Sequence, residues 1–326
     1  MSGPKVTIGI PTVNRLGFLR EAVLSARTQG HGDIEVLVSR DGTADPAGPE
    51  IAEFVGKVAA EDGRVVYVQQ PSRLGLAGNW NAIARRATGE YTMIMGDDDR
   101  LLPSCVETLV ATAAALDADV VFSDHWVIDS EGGRLLSETD RCSDRYGRTR
   151  LQEGLLAAAH SVVWRNSIPM SASLVRTEWL RKLGFRPDLN CPELEFFARA
   201  ANAGARFAFV KQRLVEYRSH AMSETSAGLT LESLFTHLAP IPVPDPVAAQ
   251  KASLLKALLP AALAREWRRG NWAGIRALAR SGYIDGPLLA RNPKVVGLLL
   301  LSWLRGKGGE VDARPAGAFD ERDGEP

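Results

Sequence analysis

The sequence has few of the features that mark secreted, zinc-stabilised or disulfide-bonded proteins. Its 326 residues include three cysteines, Cys105, Cys142 and Cys191, which are scattered and odd in number. There is no Cys-x-x-Cys pair and no His-Glu-x-x-His stretch. A disulfide framework and structural zinc are therefore excluded as the basis of the fold. Low cysteine usage is typical of a reducing compartment, so we expect a cytoplasmic protein.

Long apolar runs and an excess of one charge are also missing. The longest apolar run, residues 295–304, is about half the length that spans a bilayer. The N-terminal residues lead almost directly into a short strand, without the apolar core of a leader peptide. Lys plus Arg and Asp plus Glu both total 39, so the net charge is zero. We therefore predict no transmembrane segment and no nucleic-acid partner.

Strand and helix patterns alternate along the first part of the chain. Runs rich in β-branched residues predict strands at 5–10, 34–39, 65–68 and 91–95, and helical spacing predicts helices at 16–29, 51–60 and 79–87 between them. Pro103 and Ser104 begin another predicted helix, and 206–210 looks like a later strand. This alternation predicts an α/β fold with a mainly parallel sheet and helices on both faces.

Three adjacent carboxylates, Asp97, Asp98 and Asp99, follow the fourth predicted strand. Like charges in sequence repel, and a hard divalent cation such as Mg²⁺ or Mn²⁺ would justify them, because it binds carboxylate and phosphate oxygens. The alternative is a solvated Asp-rich turn. Pro11-Thr12 and Ser39-Arg40-Asp41 also stand at predicted strand ends. Ligands of parallel α/β sheets lie beyond those ends, so a binding site is expected there.

Segments in the same order resemble the family 2 glycosyltransferases, whose catalytic domain has the GT-A fold. The resemblance covers residues 5–225, and Asp97-Asp98-Asp99 is similar to the family's Asp-x-Asp motif. The other matching segments are 8–15 (first strand and turn), 35–45 (second strand and Asp-Gly turn), 75–81 and 87–91 (the helix before the acids), 193–199 (an acidic helix start) and 217–220 (Tyr-Arg-x-His).

The resemblance implies a nucleotide-diphosphate sugar as donor and a divalent cation, Mg²⁺ or Mn²⁺, as cofactor. It assigns the cation to Asp97, Asp99 and His220. The donor is assigned to Pro11, Thr12, Asn14, Arg40, Asp41, Arg73, Asn81, Asp97 and Asp98. Many members carry an acid where this chain has Arg40, so Arg40 either faces the nucleotide or packs on the surface, and the base is left open between uridine and thymidine. Asn81 has an alternative role as a cap of local backbone, and His220 and Arg73 as surface side chains.

The resemblance also implies a catalytic base that removes the proton of an acceptor hydroxyl. It places the base at Glu193, with Glu195 as the alternative; a preference of acids for helix starts explains either residue without catalysis. Direct attack by the hydroxyl would invert the anomeric centre. Trp164, Met170 and Ser171 lie in the stretch that is similar to the acceptor side of the family, although tryptophan more often serves packing.

The resulting interpretation is an inverting, metal-dependent glycosyltransferase that acts on a small-molecule natural product or on a cell-surface glycan or lipid-linked precursor. A nucleotidyltransferase and a non-catalytic nucleotide-sugar-binding module are the alternatives. The predicted organisation is a GT-A domain at 1–238 (nucleotide half 1–100, acceptor half 101–238), a Pro-rich linker at 239–246, a helical region at 247–305 and a disordered tail at 306–326. The apolar sides of the C-terminal helices predict a homo-oligomer or a peripheral contact with the inner face of the membrane.

Overall fold

The computed structural model describes residues 3–42, 47–220 and 231–307. Strands and helices alternate through the first part of this region, and helices alone follow residue 231. The strands are β1 Val6–Thr12, β2 Ile34–Arg40, β3 Val65–Gln69, β4 Tyr91–Ile94, β5 Arg100–Leu101, β6 Val120–Ile128, β7 Gly154–Leu155, β8 Ser173–Arg176 and β9 Phe207–Arg218. The helices are α1 Leu16–Arg27, α2 Gly48–Glu61, α3 Gly75–Arg86, α4 Cys105–Leu116, α5 Leu136–Arg145, α6 Ala159–Trp164, α7 Thr177–Leu183, α8 Glu193–Asn202, α9 Leu231–Leu238, α10 Asp245–Arg268, α11 Trp272–Ala279, α12 Gly286–Arg291 and α13 Pro293–Lys307.

These strands form one mixed sheet in the order β3-β2-β1-β4-β8-β6-β9-β5, with β7 paired to β9. The first four strands in this order are parallel to one another. The strand β8 runs antiparallel to both β4 and β6, whereas β6 and β9 are parallel. The predicted α/β class with a mainly parallel, helix-flanked sheet is therefore confirmed. Because β1, β2 and β4 share a direction, the residues that follow them meet at one edge of the sheet.

The core lies between this sheet and the helices that cover it. The strand β1 is apolar and buried on both faces, as expected of a central parallel strand. Helix α1 buries Leu19, Val23 and Ala26, which share one face at helical spacing. Helix α3 lies so close to β1 that a Cβ added at Gly9 would be 2.3 Å from Ile83 Cγ2. Only glycine fits at this crossing, and the close approach sets the position of α3 over the sheet.

Helix α3 begins earlier than predicted. The periodic pattern predicts a helix over 79–87, and the structure has it at Gly75–Arg86. The Asp41 carboxylate, which follows β2, accepts hydrogen bonds from the backbone N–H groups of Leu74 (2.6 Å) and Gly75 (3.0 Å). This acid satisfies donors that a helix start leaves open. The contact joins residues far apart in sequence, so local pattern does not reveal it.

The chain folds into two compact units, residues 1–258 and 259–326. The predicted Pro-rich linker lies within the first unit, where Lys251 Nζ donates to the carbonyl oxygens of Ala239 (2.7 Å) and Ile241, and Asn202 Nδ2 donates to Pro242 O at 2.9 Å. In the second unit α13 packs against α11 and α12. It extends to Lys307, two residues past the predicted end of the helical region at 305. The rest of the predicted tail lies outside the described residues, as do Thr43, Ala44 and Asp45 of the predicted turn after β2.

Helix α10 is the one element in the described part of the chain that is long and apolar enough to cross a membrane by length and composition. The buried share of its most apolar stretch is 39%. Buried core helices of soluble proteins satisfy the same criterion, so this helix is weak support for a membrane span.

Candidate active site

A cavity of about 810 Å³ opens at the sheet edge where β1, β2 and β4 end. Its lining comes from the segments after these strands, from β6 and β9, and from helices α3, α5, α8, α9 and α10. Volumes of this size are typical of sites for small molecules and cofactors. Every lining residue belongs to the first compact unit. The predicted location of the site at the carboxyl ends of the strands agrees with this cavity.

The three consecutive aspartates after β4 all line the cavity. Asp97 is fully buried and accepts a hydrogen bond from Thr12 Oγ1 at 2.6 Å, and Arg15 Nη2 lies 2.5 Å from its Oδ1. Arg15 Nη1 also donates to Asp98 Oδ2 at 2.7 Å. Asp99, 2% exposed, accepts from the backbone N–H of Arg218 at 2.9 Å. The side chains that follow β1 and the backbone at the end of β9 therefore hold this acidic turn in place.

Burial and mutual repulsion oppose ionisation of the acids in this turn. Burial raises the pKa of Asp97 and of Asp99, and the neighbouring Asp98 charge raises both further. Arg15 opposes this effect at Asp97. The Arg218 guanidinium, although buried, donates to Asp98 O at 2.8 Å and to Glu21 Oε2 at 2.7 Å, and so offers the turn no carboxylate pair. An added cation would stabilise the ionised form of these acids.

The donor set of this turn fits a hard divalent cation, because it consists of carboxylate oxygens at a cavity wall. Within the residues that the structure describes, no three His, Cys, Asp or Glu side chains are arranged to hold a metal ion by themselves. His220 Nε2 lies 3.0 Å from Asp98 Oδ2, and the His220 side chain is 4% exposed. His220 thus contacts the acid that was not assigned to the metal, and any cation here would need oxygen ligands from a bound substrate.

Besides Asp97 and Asp98, four of the residues assigned to the donor by resemblance line the cavity: Pro11, Thr12, Asp41 and Arg73. Asp41 is 3% exposed, whereas the Arg73 side chain is 63% exposed, with Nε 4.0 Å from Asp41 Oδ2. This pair places one fixed carboxylate and one exposed cation on the wall after β2.

Three other residues assigned to the donor do not line the cavity. Arg40 is 3% exposed and donates to Val13 O at 3.1 Å and to Gln69 Oε1 at 2.9 Å. It therefore neither lies on the surface nor faces the cavity. Asn81 exchanges hydrogen bonds with the backbone of Phe185 (2.8 and 2.9 Å), so it ties α3 to the segment after α7. Asn14 is exposed at the turn after β1.

Helix α3 brings a different set of residues to the cavity, and the sequence analysis did not assign them. Leu76, Asn79 and Trp80 line it from one helix face. Asn79 is 2% exposed; its Nδ2 donates to Ser39 O at 2.9 Å and its Oδ1 accepts from Ser39 Oγ at 2.6 Å. The spacing i, i+3, i+4 of these residues was the available signal. Because Asn81 is two residues from Asn79, it points away from this face.

The two glutamates at the start of α8 have different surroundings. Glu193 lines the cavity, and removal from bulk water raises its pKa above the ordinary value of 4.5. Glu195 is 1% exposed and does not line the cavity. Its carboxylate accepts from Arg199 Nε at 2.7 Å and from Arg186 Nε at 3.2 Å. Of the two glutamates, only Glu193 therefore reaches the cavity.

Of the three residues assigned to the acceptor by resemblance, Met170 and Ser171 line the cavity and Trp164 does not. The Ser171 side chain hydrogen-bonds the Asp99 carboxylate and accepts from Gly96 N–H at 3.1 Å, so it also supports the acidic turn. Trp164 is 3% exposed, and Lys251 Nζ lies 5.4 Å from its ring centroid. The assignment of Trp164 to the acceptor is therefore not supported, and its role is packing. Helix α5 and the residues after it contribute three arginines that the sequence analysis did not assign: Arg141, Arg145 and Arg148.

Comparison with known proteins agrees with this architecture. The family described as Glycosyl transferase family 2 matches residues 7–213. A GalNAc(5)-diNAcBac-PP-undecaprenol beta-1,3-glucosyltransferase of Campylobacter jejuni is 32% identical over 111 residues, which cover 34% of this chain and 35% of that protein. The putative glycosyltransferase EpsH of Bacillus subtilis is 25% identical over 230 residues, covering 68% of this chain and 63% of that protein. The matches thus span less than two thirds of these relatives.

Solved structures with the same fold include two complexes with nucleotide sugars. The crystal structure of Staphylococcus aureus TarS in complex with UDP-GlcNAc superposes with a TM-score of 0.65 at 13% identity, covering 93% of this chain and 92% of that one. A mannosyltransferase of Pyrobaculum calidifontis in complex with GDP-Man and Mn²⁺ gives 0.60 at 18% identity, covering 94% and 88%. At these identities the likeness establishes the fold alone.

The predicted resemblance is therefore confirmed, and the alternative of a nucleotidyltransferase has no support among these proteins. The chain belongs to glycosyl transferase family 2 over residues 7–213, and it has the GT-A fold.

Proposed function

We propose that the protein moves a glycosyl group from a nucleoside diphosphate sugar to an acceptor hydroxyl, with inversion at the anomeric carbon. The observation that carries the proposal is the composition of the cavity wall: the acidic turn 97–99, Asp41 after β2 and the Glu193 carboxyl all face the same 810 Å³ space. Such a space can hold a charged donor and an acceptor side by side, which is the alignment that the transfer needs.

The donor would lie over the ends of β1, β2 and β4. Pro11, Thr12 and Asp41 supply fixed contacts for the nucleoside, and Arg73 is close enough to the cavity to meet a phosphate. Asn79 and Trp80 extend this surface. Because Arg40 is buried away from the cavity, it does not select the base, and a UDP- or TDP-sugar is the proposed donor class.

A divalent cation, Mg²⁺ or Mn²⁺, would be held by carboxylate oxygens of Asp97 and Asp99, with donor phosphates as further ligands. When bound, it would neutralise charge on the departing diphosphate. Arg15 contacts both Asp97 and Asp98, so the cation would displace Arg15 from Asp97 Oδ1, whereas Asp98 would keep His220 as its neighbour. The burial and mutual repulsion of these carboxylates, which a cation would relieve, support this assignment.

Glu193 would accept the proton of the acceptor hydroxyl. At the same time the hydroxyl oxygen would attack the anomeric carbon, and the bond between that carbon and the diphosphate oxygen would break. Burial raises the pKa of Glu193 above its ordinary value, and a higher pKa makes its carboxylate a stronger base. A double displacement would need a further nucleophile to form a covalent intermediate, whereas one base is enough for a single displacement. The single displacement, and hence inversion, is therefore the simplest chemistry for these residues.

The acceptor proposed is a hydroxyl of a cell-surface glycan, a lipid-linked precursor or a small natural product. The Campylobacter relative carries an undecaprenol-linked acceptor in its name, which favours the first two. We place the enzyme in the cytoplasm, with a peripheral contact to the inner face of the membrane.

Thermal unfolding with nucleotides tests the donor proposal. Uridine, thymidine and guanosine diphosphates and their sugars are added with and without Mn²⁺, and stabilisation should require one nucleotide and the ion together. A ligand at 100 times its Kd adds roughly 2.7 kcal/mol to the free energy of unfolding. The Mn²⁺-dependent part should vanish in Asp99→Asn and persist in Glu53→Gln, an exposed carboxylate on α2. Stabilisation by none of the nucleotides contradicts the proposal.

A further inference from the structure

Helix α5 and the turn after it bear an unusual concentration of cationic side chains. Arg141, Arg145, Arg148 and Arg150 fall within ten residues, and the first three line the cavity. We call Arg141, Arg145 and Arg148 the arginine cluster. Since the spacing i, i+4 puts Arg141 and Arg145 on one side of the helix, and Arg148 follows at the next turn, the cluster forms one wall of the cavity.

The acids of this segment are turned to other partners. Asp140 accepts from Arg213 Nη2 at 2.6 Å, and Asp144 accepts from Arg150 Nη2 at 3.1 Å. Glu138 is the carboxylate beside Arg141, at 3.8 Å, and both side chains are exposed. Such an exposed pair holds its partners weakly. The charge of the cluster is therefore not cancelled by its own helix.

The three arginines of the cluster differ in burial and in how firmly hydrogen bonds hold them. Arg148 is 2% exposed and fixed, because its Nε donates to Asp124 Oδ1 at 2.6 Å and its Nη2 donates to Cys142 Sγ at 3.4 Å. Arg141 and Arg145 are exposed, and the Arg145 guanidinium lies 5.7 Å from the Tyr146 ring centroid. Two like charges at i, i+4 destabilise a helix mildly. A bound anion would remove that cost.

Another wall of the cavity is apolar, and it comes from the C-terminal part of the first unit. Leu234 of α9 and Leu254 and Leu258 of α10 line the same cavity. Leu234 and Leu258 are each 4% exposed. The cavity thus combines two exposed guanidinium groups with an apolar surface outside the acidic donor region.

We propose that Arg141 and Arg145 bind a phosphate group of the acceptor, and that the leucines of α9 and α10 contact an apolar chain attached to that phosphate. Two guanidinium forks offer more donors than the two oxygens of a carboxylate can accept, and they match the oxygens of a phosphate. The acceptor class is therefore a lipid-linked phosphate. The inference rests on the proposed function, since it names the acceptor of that same site.

Calorimetric titration of the full chain, with UDP and Mn²⁺ present to fill the donor site, tests the proposal. The probes are farnesyl monophosphate, glycerol 1-phosphate and farnesol. Farnesyl monophosphate should bind at least tenfold more tightly than either other probe. Equal binding of glycerol 1-phosphate would overturn the apolar contact and assign the site to water-soluble phosphates, and equal binding of farnesol would overturn the role of the arginines.

The double variant Arg141→Gln/Arg145→Gln should weaken farnesyl monophosphate binding tenfold or more and leave UDP binding unchanged. The matched control is Arg150→Gln, which removes a side chain of the same segment that pairs with Asp144 and does not line the cavity. Unchanged affinity in the double variant overturns the inference. Weaker UDP binding also overturns it, because the arginines would then serve the donor.

Failure of the proposed function gives a different result. Nucleotide-sugar hydrolysis and UDP binding are measured with the same proteins in the absence of any acceptor. Wild-type protein that neither binds UDP nor hydrolyses any nucleotide sugar contradicts the proposed function. A protein that does both, yet binds farnesyl monophosphate no better than farnesol, contradicts only the acceptor inference.

Discussion

At the scale of single residues, the start of α8 places two glutamates in opposite environments. Replacing Glu193 by Gln keeps the shape of the side chain and removes its ability to take a proton. We expect kcat to fall by roughly 10²- to 10⁴-fold, with the Kd of the donor nucleotide within about twofold of the wild type. Turnover is measured with the donor identified by thermal unfolding. Retained turnover would remove Glu193 as the base.

The matched control is Glu195→Gln, two residues away. Glu195 ties Arg199 and Arg186 together, and Arg199 in turn donates to the carbonyl oxygens of Leu183 and Gly184. We expect a loss of about 1–3 kcal/mol in the free energy of unfolding, reduced by the partial exposure of both arginines. The folded fraction should keep kcat within a few-fold of the wild type. A larger loss of kcat than in Glu193→Gln would exchange the two roles.

The raised pKa of Glu193 predicts a pH dependence. Burial raises the pKa, so the native state keeps this proton at pH values where the unfolded chain, with an ordinary pKa of 4.5, has released it. The unfolded state then binds fewer protons, and the free energy of unfolding falls as pH rises from 4.5 through the raised pKa. In Glu193→Gln this decline should be smaller. Denaturant unfolding at pH 4 to 8 measures the difference between the two proteins, and parallel curves would contradict the assignment. The acidic limb of kcat should likewise lie above pH 4.5.

At the scale of elements, the close crossing of β1 and α3 depends on the absence of a Cβ atom at Gly9. In Gly9→Ala the new Cβ would lie 2.3 Å from Ile83 Cγ2. We expect a loss of about 1–3 kcal/mol in the free energy of unfolding, because a packed core resists added volume. Urea unfolding measures the change. Since α3 carries Asn79 and Trp80 to the cavity, donor affinity should fall as well.

A double-mutant cycle provides the control for this clash. Ile83→Ala removes the clashing atom and leaves a cavity, so it destabilises the fold by itself. The double variant Gly9→Ala/Ile83→Ala should lose less stability than the sum of the two single variants, since neighbouring changes are not additive. Simple additivity would show that Ile83 does not limit the approach of α3.

At the scale of the whole molecule, the second compact unit presents apolar side chains to solvent. Leu300, Leu301 and Trp303 on α13 are 58%, 46% and 58% exposed. Lys294 on the same helix is exposed. We propose that these exposed apolar side chains, together with Lys294, contact a membrane surface. We expect the protein to sediment with vesicles of anionic phospholipid and less with zwitterionic ones.

The variant Leu300→Ser/Trp303→Ser should reduce vesicle binding about tenfold or more, since each apolar side chain that enters the interface contributes roughly 1.5–3 kcal/mol. Leu24→Ser, which changes an equally exposed leucine on α1, should leave binding unchanged. Equal binding by all three proteins would contradict the membrane contact, and a change in oligomeric state by light scattering would assign the helix to a subunit interface.

Local sequence was sufficient for the parallel sheet and for the acids at its edge. Apolar runs of strand length alternate with helical spacing, and this pattern by itself requires strand ends that meet at one edge, which placed Pro11, Thr12, Asp41 and the acids 97–99 correctly in one cavity. The direction in which each side chain points could not be predicted from local sequence. Asn81 and Trp164 have residue types suited to sugar binding, yet Asn81 binds the Phe185 backbone and Trp164 is buried.

What the sequence by itself determined is therefore the family, the α/β class and the positions at which chemistry gathers, because these follow from short-range periodicity and from motifs contiguous in the chain. Only the tertiary structure decided that Glu193 and not Glu195 faces the cavity, that Arg15 pairs with Asp97 and Asp98, and that the arginines of α5 form a wall of the site. Each of these depends on contacts between residues far apart in sequence or on the rotation of a helix about its axis, and packing against the rest of the fold fixes both.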